Sequence, residues 1–524
     1  MRIIFSIIAV NSLLTHSFAQ APEIEWQKNL GGTDIDKGWS ILLSSNDQLI
    51  IGSVVRSSDI DVPIHEHDRA FLVSALDLQG EGIWHETIGY VTGGNRHVGL
   101  VERPNGDGYW AGTTVDEMGE IDCEATGFSH IWLARLDEFG NKQEEICIGG
   151  SEGDSFQRIV MTANGFYMIG STYSNDGHVI DNHGLSDVFL TKLNNAGTVE
   201  WTLCYGGSNG DGGRNIIKLS DNRLLISGVT RSLDHILENV NPYSPSFLSA
   251  WLLKIDLDGN IIWQHCYGGE NQDIIMAIGE YANGDIWAAG YSRSTTALVD
   301  CNPYNTDVCW VMRLDAQGQV IERACFGGSI GSSVEDAILL PNDHLLLIGN
   351  TASTDGDVSF NHGGTDAWIL QLDPELSLVW EKTYGGSDHD IVHSSILTPD
   401  GGLVFVGESS STDGDLTDNH GMSDVWVVKL APWDNGVVVQ EVESKPQIQL
   451  FPNPANDLLV IQFKEPSVPG YLTVFDPLGS LVMEQRVSTG LQQLELQLSG
   501  SANGPYFLRM VQGNKIITGH FIKY

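Results

Sequence analysis

The sequence predicts an all-β fold: a seven-bladed β-propeller of four-stranded antiparallel blades, followed by a small β-sandwich domain. Three observations lead there. A Gly-Gly pair returns seven times, at 31–32, 93–94, 149–150, 206–207, 268–269, 327–328 and 385–386. Each interval holds four short apolar runs joined by turns rich in Asn, Asp and Gly, and no stretch keeps a helical period. The seventh unit lacks its last run, and an orphan copy of that run, Trp26 to Leu30, stands ahead of the first Gly-Gly. Pairing the two ends closes a ring and removes two exposed strand edges. A solenoid of hairpins is the alternative architecture.

Unit 3 shows the grammar of the repeat. Asp154 follows Gly149-Gly150, then come Phe156 to Met161, a turn at Ala163-Asn164-Gly165, and a second run from Phe166 to Gly170. A polar loop leads to Asp187 to Leu193, a turn at Asn194 to Gly197, and a fourth run from Val199 to Tyr205. The first and third turns are short. The loops after the second strand and those linking units are long, and both sets emerge on one face, the better candidate for binding.

Composition narrows the partners. The chain has 68 Asp plus Glu against 27 Lys plus Arg, a net charge of −41. Such a surface repels phosphate backbones, so nucleic acid is excluded as a partner. The charge is uneven: residues 448–524 hold five acidic and five basic residues, so the excess lies in the middle of the chain. At the start, Arg2, the apolar run Ile3 to Leu14 and the small residues around Ala19 read as a signal peptide over 1–19. That run is too short to cross a bilayer, and no later one is long enough, so no transmembrane segment is expected. The expected order is therefore signal peptide 1–19, propeller 20–430, linker 431–447 and C-terminal domain 448–524.

Two resemblances follow from the motifs. The unit running from Gly385-Gly386-Ser387 to Lys429-Leu430 resembles the SBBP family of bacterial β-propeller repeats, a likeness that extends over about residues 26–430. It implies a fold and says little about a ligand. The C-terminal region carries Pro452-Asn453-Pro454, then Asp476-Pro477-Leu478-Gly479 after a strand, then Gly504-Pro505-Tyr506, and ends at Lys523-Tyr524. This resembles the type A C-terminal sorting domain of the type IX secretion system, with Pro505 as one departure from its pattern. The resemblance implies that Pro452, Asn453, Pro454, Gly479, Tyr506 and Lys523 belong to a sorting signal read by the secretion machinery. It also implies a protein released outside the cell or held at the outer-membrane surface.

Several constellations could carry chemistry. Asp36, Asp154, Asp211, Asp273 and Asp390 stand four residues after a Gly-Gly and are candidates for the ligand face, as a carboxylate ring for a cation or a basic partner. A repeated turn-fixing hydrogen bond is the other reading, since a residue present in most units usually serves the unit. The second-strand loops of units 6 and 7 carry Asp355, Asp357, Asn361 and Asp366, and Asp413, Asp415, Asn419 and Asp424. Clustered oxygens on a glycine-kinked loop suit Ca²⁺, although Asp and Asn also cap loops by bonding backbone. His183, His362 and His420 sit in units too far apart to share a zinc ion. The third-strand tryptophans Trp132, Trp251, Trp310, Trp368 and Trp426 read as packing between blades. No catalytic motif stands out, so no catalytic residue is assigned. The expected function is a non-enzymatic secreted or cell-surface module that binds an extracellular glycan or protein. A glycan-active enzyme and a structural adhesin are the alternatives.

The cysteines complete the reading. Cys147, Cys204, Cys266 and Cys325 lie two residues before a Gly-Gly, while Cys123 and Cys301 each follow an Asp in a second-strand loop. The same offset separates Cys123 from Cys147 and Cys301 from Cys325, which predicts two disulfides, each tying a loop to the outer strand of its own blade. Cys204, Cys266 and Cys309 are expected to stay free.

Overall fold

A computed structural model describes residues 21–523, apart from 64–68, 91–96, 116–127, 238–245, 417–418, 434–447, 464–469, 476–480, 489, 500–503 and 513–514. The predicted signal peptide and Cys123 lie outside the described residues. The chain divides into two compact units, Met1–Val437 and Val438–Tyr524.

The first unit contains seven four-stranded antiparallel sheets. Blade 3 runs Asp154–Thr162, Gly165–Thr172, Asp187–Leu193 and Val199–Tyr205 in consecutive order. Blades 1, 2, 4, 5 and 6 repeat that order. The first strands touch one another all the way round, from Asp36–Leu43 through to Asp390–Leu397 and back, so they enclose a central channel.

Blade 7 is closed by the N-terminal strand. Ile24–Leu30 pairs antiparallel with Asp424–Leu430, with Leu30 opposite Val425 and Gln27 opposite Val428. Side chains copy what a native outer strand supplies. The indoles of Trp132, Trp251 and Trp368 donate to Glu145, Gln264 and Glu381 on the outer strands of their own blades. In blade 7 the Trp426 indole donates at 3.0 Å to Gln27, which takes that same role. Between blades, the hydroxyls of Tyr205 and Tyr267 donate to Gly259 and Gly318 carbonyls in the next blade's outer turn. The Tyr384 hydroxyl donates instead to the Pro22 carbonyl at 2.7 Å.

The core lies between blades. All five third-strand tryptophans are buried, and Trp132 of blade 2 packs edge-on against Phe71 of blade 1, with ring centroids 5.9 Å apart. Each buried indole removes a large apolar area from water, which makes blade contacts the main stabilising surface.

The second unit has a three-stranded sheet (Ile448–Phe451, Leu458–Phe463, Gln493–Gln497) and a four-stranded one (Leu481–Val487, Gly470–Phe475, Gly504–Gln512, Lys515–Lys523). Leu459, Ile461 and Leu496 of the first and Leu472, Val474, Leu508 and Phe521 of the second share one core, the pattern of a small sandwich. The strand passes through Pro505, whose backbone lies opposite Ile522.

Candidate ligand face and central channel

The repeated aspartates are inside the structure. Asp36, Asp154, Asp211, Asp273 and Asp390 are all fully or almost fully buried. Each accepts the N–H of the second glycine of its Gly-Gly, at 2.6 to 2.9 Å. Ser174, Ser232, Ser294 and Ser411 donate hydroxyls to four of them, at 2.7 to 3.1 Å. This corrects their expected place on the ligand face: their carboxylates tie the inter-blade turn to the end of the second strand. Charge-assisted bonds of this kind are about twice as strong as neutral ones, which suits a residue repeated for the blade. Burial pushes the Asp273 carboxyl up to about 6 and raises Asp154 and Asp211 as well.

The proposed calcium ligands are engaged in a similar way. Asp355 and Asp413 accept the N–H of Ser329 and Ser387 at 2.8 and 2.7 Å. Asp357 and Asp415 accept those of Gly327 and Gly385. Asn361 and Asn419 each accept a glycine N–H and donate to a strand-end carbonyl. Asp366 and Asp424 accept the N–H of His362 and His420, and their carboxyls lie near those of Asp390 and Asp36 in the next blade. Burial, reinforced by Asp390, holds the Asp366 carboxyl at about 6. Among the described residues, no group of three or more His, Cys, Asp or Glu is placed to hold a metal. Asn361 and Asn419 organise these loops by local Asx bonds, while Asp355, Asp357, Asp413 and Asp415 tie them across to the inter-blade turns.

The chemistry concentrates where the repeat varies. Three residues after the repeated Asp, or after its replacement Ser332, the first strand bulges in six blades. That extra residue is Trp39, Gln157, Arg214, Met276, Glu335 or His393. A bulge re-aims a side chain, and here the bulged residues line the channel. They meet His97 of blade 2 and Arg158 of blade 3 around a cavity of about 20 Å³, enough for a water molecule. Each of the seven blades thus contributes a group to one waist, and the six bulged ones are all of different type.

The waist is electrostatically mixed. Trp39 stacks on His393 at 4.2 Å between centroids and meets His97 edge-on at 5.1 Å. Burial, then the charges of Arg158, His393 and Arg214, hold His97 down at about 3, so it is neutral. Burial raises Glu335, whose Oε1 accepts the Ser333 hydroxyl at 3.0 Å. Burial also raises its neighbour Asp336, which accepts the N–H and hydroxyl of Ser395. Burial opposes the charge of Glu408, but bonds from His393 and Lys37 outweigh it and leave its carboxyl low; Lys37 Nζ lies 2.8 Å away. None of these residues was singled out from sequence. For the six bulged residues the readable signal was the place three after the Asp or Ser332, the point where the units stop agreeing, while His97 and Arg158 stand outside it.

A second hollow of about 320 Å³ opens beside the waist between blades 5 and 6. It shares Glu335 with the waist and is bounded by Tyr291, Asp307, Ser332, Ser333, Asn350 and Thr351. The rim of the same face exposes apolar side chains. Phe128, Leu185, Phe247 and Met422 each stand two residues before a third strand and are 44 to 75% exposed.

One loop bordering this face is tethered as the spacing predicted. Cys301 is bonded to Cys325, with Cα atoms 5.6 Å apart. Cys147 is also disulfide-bonded. Cys204, Cys266 and Cys309 are free thiols.

In the C-terminal unit the sorting-signal residues come together from both ends of the domain. Asn453 Oδ1 accepts the Ile522 N–H at 3.0 Å, and Ala455 bridges to Lys523 in parallel register. Pro452 and Pro454 flank Asn453, so the Pro-Asn-Pro start is latched on the last strand. Tyr506 is buried and stacks on Phe521 at 5.4 Å, Lys523 is buried, and Gly479 lies outside the described residues.

Residues 449–524 match the secretion system C-terminal sorting domain. This type IX domain marks the protein for export to the cell surface or beyond, and implies interaction with the type IX machinery. Among the described residues no helix is long and apolar enough to cross a membrane. No curated protein matches the chain by sequence. Among solved structures, puromycin hydrolase is 12% identical, with 86% of this chain and 62% of that one covered and a TM-score of 0.42. Sqt1 from Chaetomium thermophilum is 10% identical, covering 83% and 97%, at 0.39. The NanB sialidase from Streptococcus pneumoniae is 11% identical, covering 79% and 70%, at 0.38.

Proposed function

We propose that the exported chain is a non-enzymatic binding module whose long-loop face engages an extracellular glycan or protein, on a ring of SBBP-type blades. One observation carries this reading: the repeat is uniform where it builds blades and divergent where six bulges aim side chains into the channel. A scaffold needs no such divergence, whereas a binding site does. The exposed Phe128, Leu185, Phe247 and Met422 on the same face support it, since repeated surface apolar groups suit a partner.

The test is a glycan and extracellular-protein array probed with the purified chain, with product analysis of every glycan hit. The expected result is saturable binding of one ligand class without turnover. Turnover overturns the non-enzymatic part, and no binding to any class overturns the reading.

A further inference from the structure

We infer that the hollow between blades 5 and 6 is a binding site for a neutral sugar residue of a glycan. This deepens the reading of the loop face as a binding surface and rests on it.

The hollow lies where the repeat departs from its own rule. Five blades carry the buried aspartate at the start of the first strand, and the residue at the start of the preceding blade's third strand is polar in each of those cases: Asp424 before Asp36, His130 before Asp154, Asp187 before Asp211, Ser249 before Asp273 and Asp366 before Asp390. Two junctions depart from this: the pair is Ala70 and Val98 between blades 1 and 2, and Val308 and Ser332 between blades 5 and 6. The staple carboxylate is gone, and the Ser332 hydroxyl bonds the Thr351 hydroxyl at 2.8 Å instead. Positions 331 and 333 hold Gly and Ser, as the matching 153 and 155 do in blade 3, so no bulk is added there. The opening at this junction therefore goes with the lost staple carboxylate and the small Ser332 in its place, where blade 2 carries the bulkier Val98.

Its lining selects the ligand class. Tyr291, Ser332, Ser333, Thr351 and Thr365 bring hydroxyls and Asp307 and Glu335 carboxyls, while the Asn350 amide is spent on the Val392 backbone. Ser332, Thr351 and Ser333 already bond within the wall, but their oxygens keep acceptor sites, and an apolar ligand would strip water from those without replacing its bonds. An anion would face two carboxyls. A cation finds little unbalanced charge, because Arg293 already holds Asp307 at 2.6 Å and burial disfavours the charged form of Glu335. A neutral polyhydroxyl ring satisfies such a set of donors and acceptors, and about 320 Å³ falls in the range of small-ligand sites. The wall is fixed on one side: the loop that carries Asp307 also carries Cys301, bonded to the outer strand at Cys325. A tethered wall lowers the ordering cost of binding.

The test uses the full chain and saturation-transfer NMR. The probes are the methyl glycosides of glucose, galactose, mannose and N-acetylglucosamine, with glucuronic acid and glucosamine as charged counterparts. At least one neutral glycoside is expected to bind, and its charged counterparts more weakly by roughly tenfold or more, since a site without a counter-charge rejects them. Ser333→Ile fills the hollow with the side chain that blades 5 and 7 carry at this place, Ile274 and Ile391. It is expected to cut binding by roughly tenfold or more with an unchanged melting temperature. Should that variant fold poorly, Thr365→Trp, at another lining residue, carries the same expectation. Equal binding by wild type and a folded filled variant, tighter binding of a charged probe, or binding of no probe at all overturns the inference. An array hit that persists in a folded Ser333→Ile chain would leave the loop-face reading standing while the inference about this hollow falls.

Discussion

Ring closure by the N-terminal strand can be tested at one hydroxyl. Tyr384 is fully buried, and its O–H donates to the Pro22 carbonyl at 2.7 Å, joining blade 6 to the segment that leads into Ile24–Leu30. Tyr384→Phe keeps the ring, including its packing near Phe405, and removes only the donor. Leaving a buried acceptor unpaired costs about 1–3 kcal/mol. Native-state exchange reads that loss directly, because local opening of the strand requires this bond to break. At 1.4 kcal/mol per decade, amide protection in residues 23–30 is expected to fall roughly 5- to 150-fold. Tyr205→Phe is the matched control: its hydroxyl makes a 2.7 Å bond to Gly259, within a run of covalently consecutive blades. It should leave residues 23–30 untouched. Unchanged protection in Tyr384→Phe, or an equal loss in both variants, would refute the closure argument.

Three further outcomes are expected. Peptide mapping without reduction should link Cys301 to Cys325, show Cys147 linked, with Cys123 as the partner its spacing predicts, and recover Cys204, Cys266 and Cys309 as thiols. Replacing Cys301 and Cys325 by Ser should cost about 3 kcal/mol of stability, read from denaturant midpoints. The Asp273 carboxyl is raised to about 6 in the fold from 3.8, so the folded state holds its proton more tightly; that contribution is complete below pH 3.8 and lost as pH rises through 6. Wild type should therefore lose melting temperature relative to Asp273→Asn between pH 4 and 7, and parallel curves would contradict it. Deleting residues 449–524 should leave the protein inside the cell envelope, and detection of the shortened chain at the surface or in the medium by immunoblot would count against the sorting role.

The architecture was legible because it is repetitive. The Gly-Gly period, the orphan strand at Trp26 and the loop-to-strand cysteine offset each state a geometry in sequence, and the pairing of Leu30 with Val425 and of Cys301 with Cys325 follows from them. The site was less legible for the same reason. Repetition drew attention to Asp36, Asp154, Asp211, Asp273 and Asp390, yet a group repeated in most blades answers a need of the blade, and the structure buries all five. The six bulged channel residues share no residue type, so only their place marks them, and the side-chain direction at that place depends on a bulge that sequence does not announce. Val98 and Ser332 stand where the other five blades carry the aspartate, but the meaning of Ser332 needed the neighbouring blade, because the hollow forms between Val308's blade and its own.

The most direct test of the binding account is a titration of the array hit, by calorimetry, into wild type and into Arg214→Ser, Glu335→Gln and His393→Ser chains of unchanged melting temperature. The account predicts weakened binding, by roughly tenfold or more, in at least one of these channel variants, and no loss in Ile262→Ser, an exposed outer-strand residue of blade 4. Full affinity in all three channel variants, with loss confined to Ile262→Ser, would contradict it.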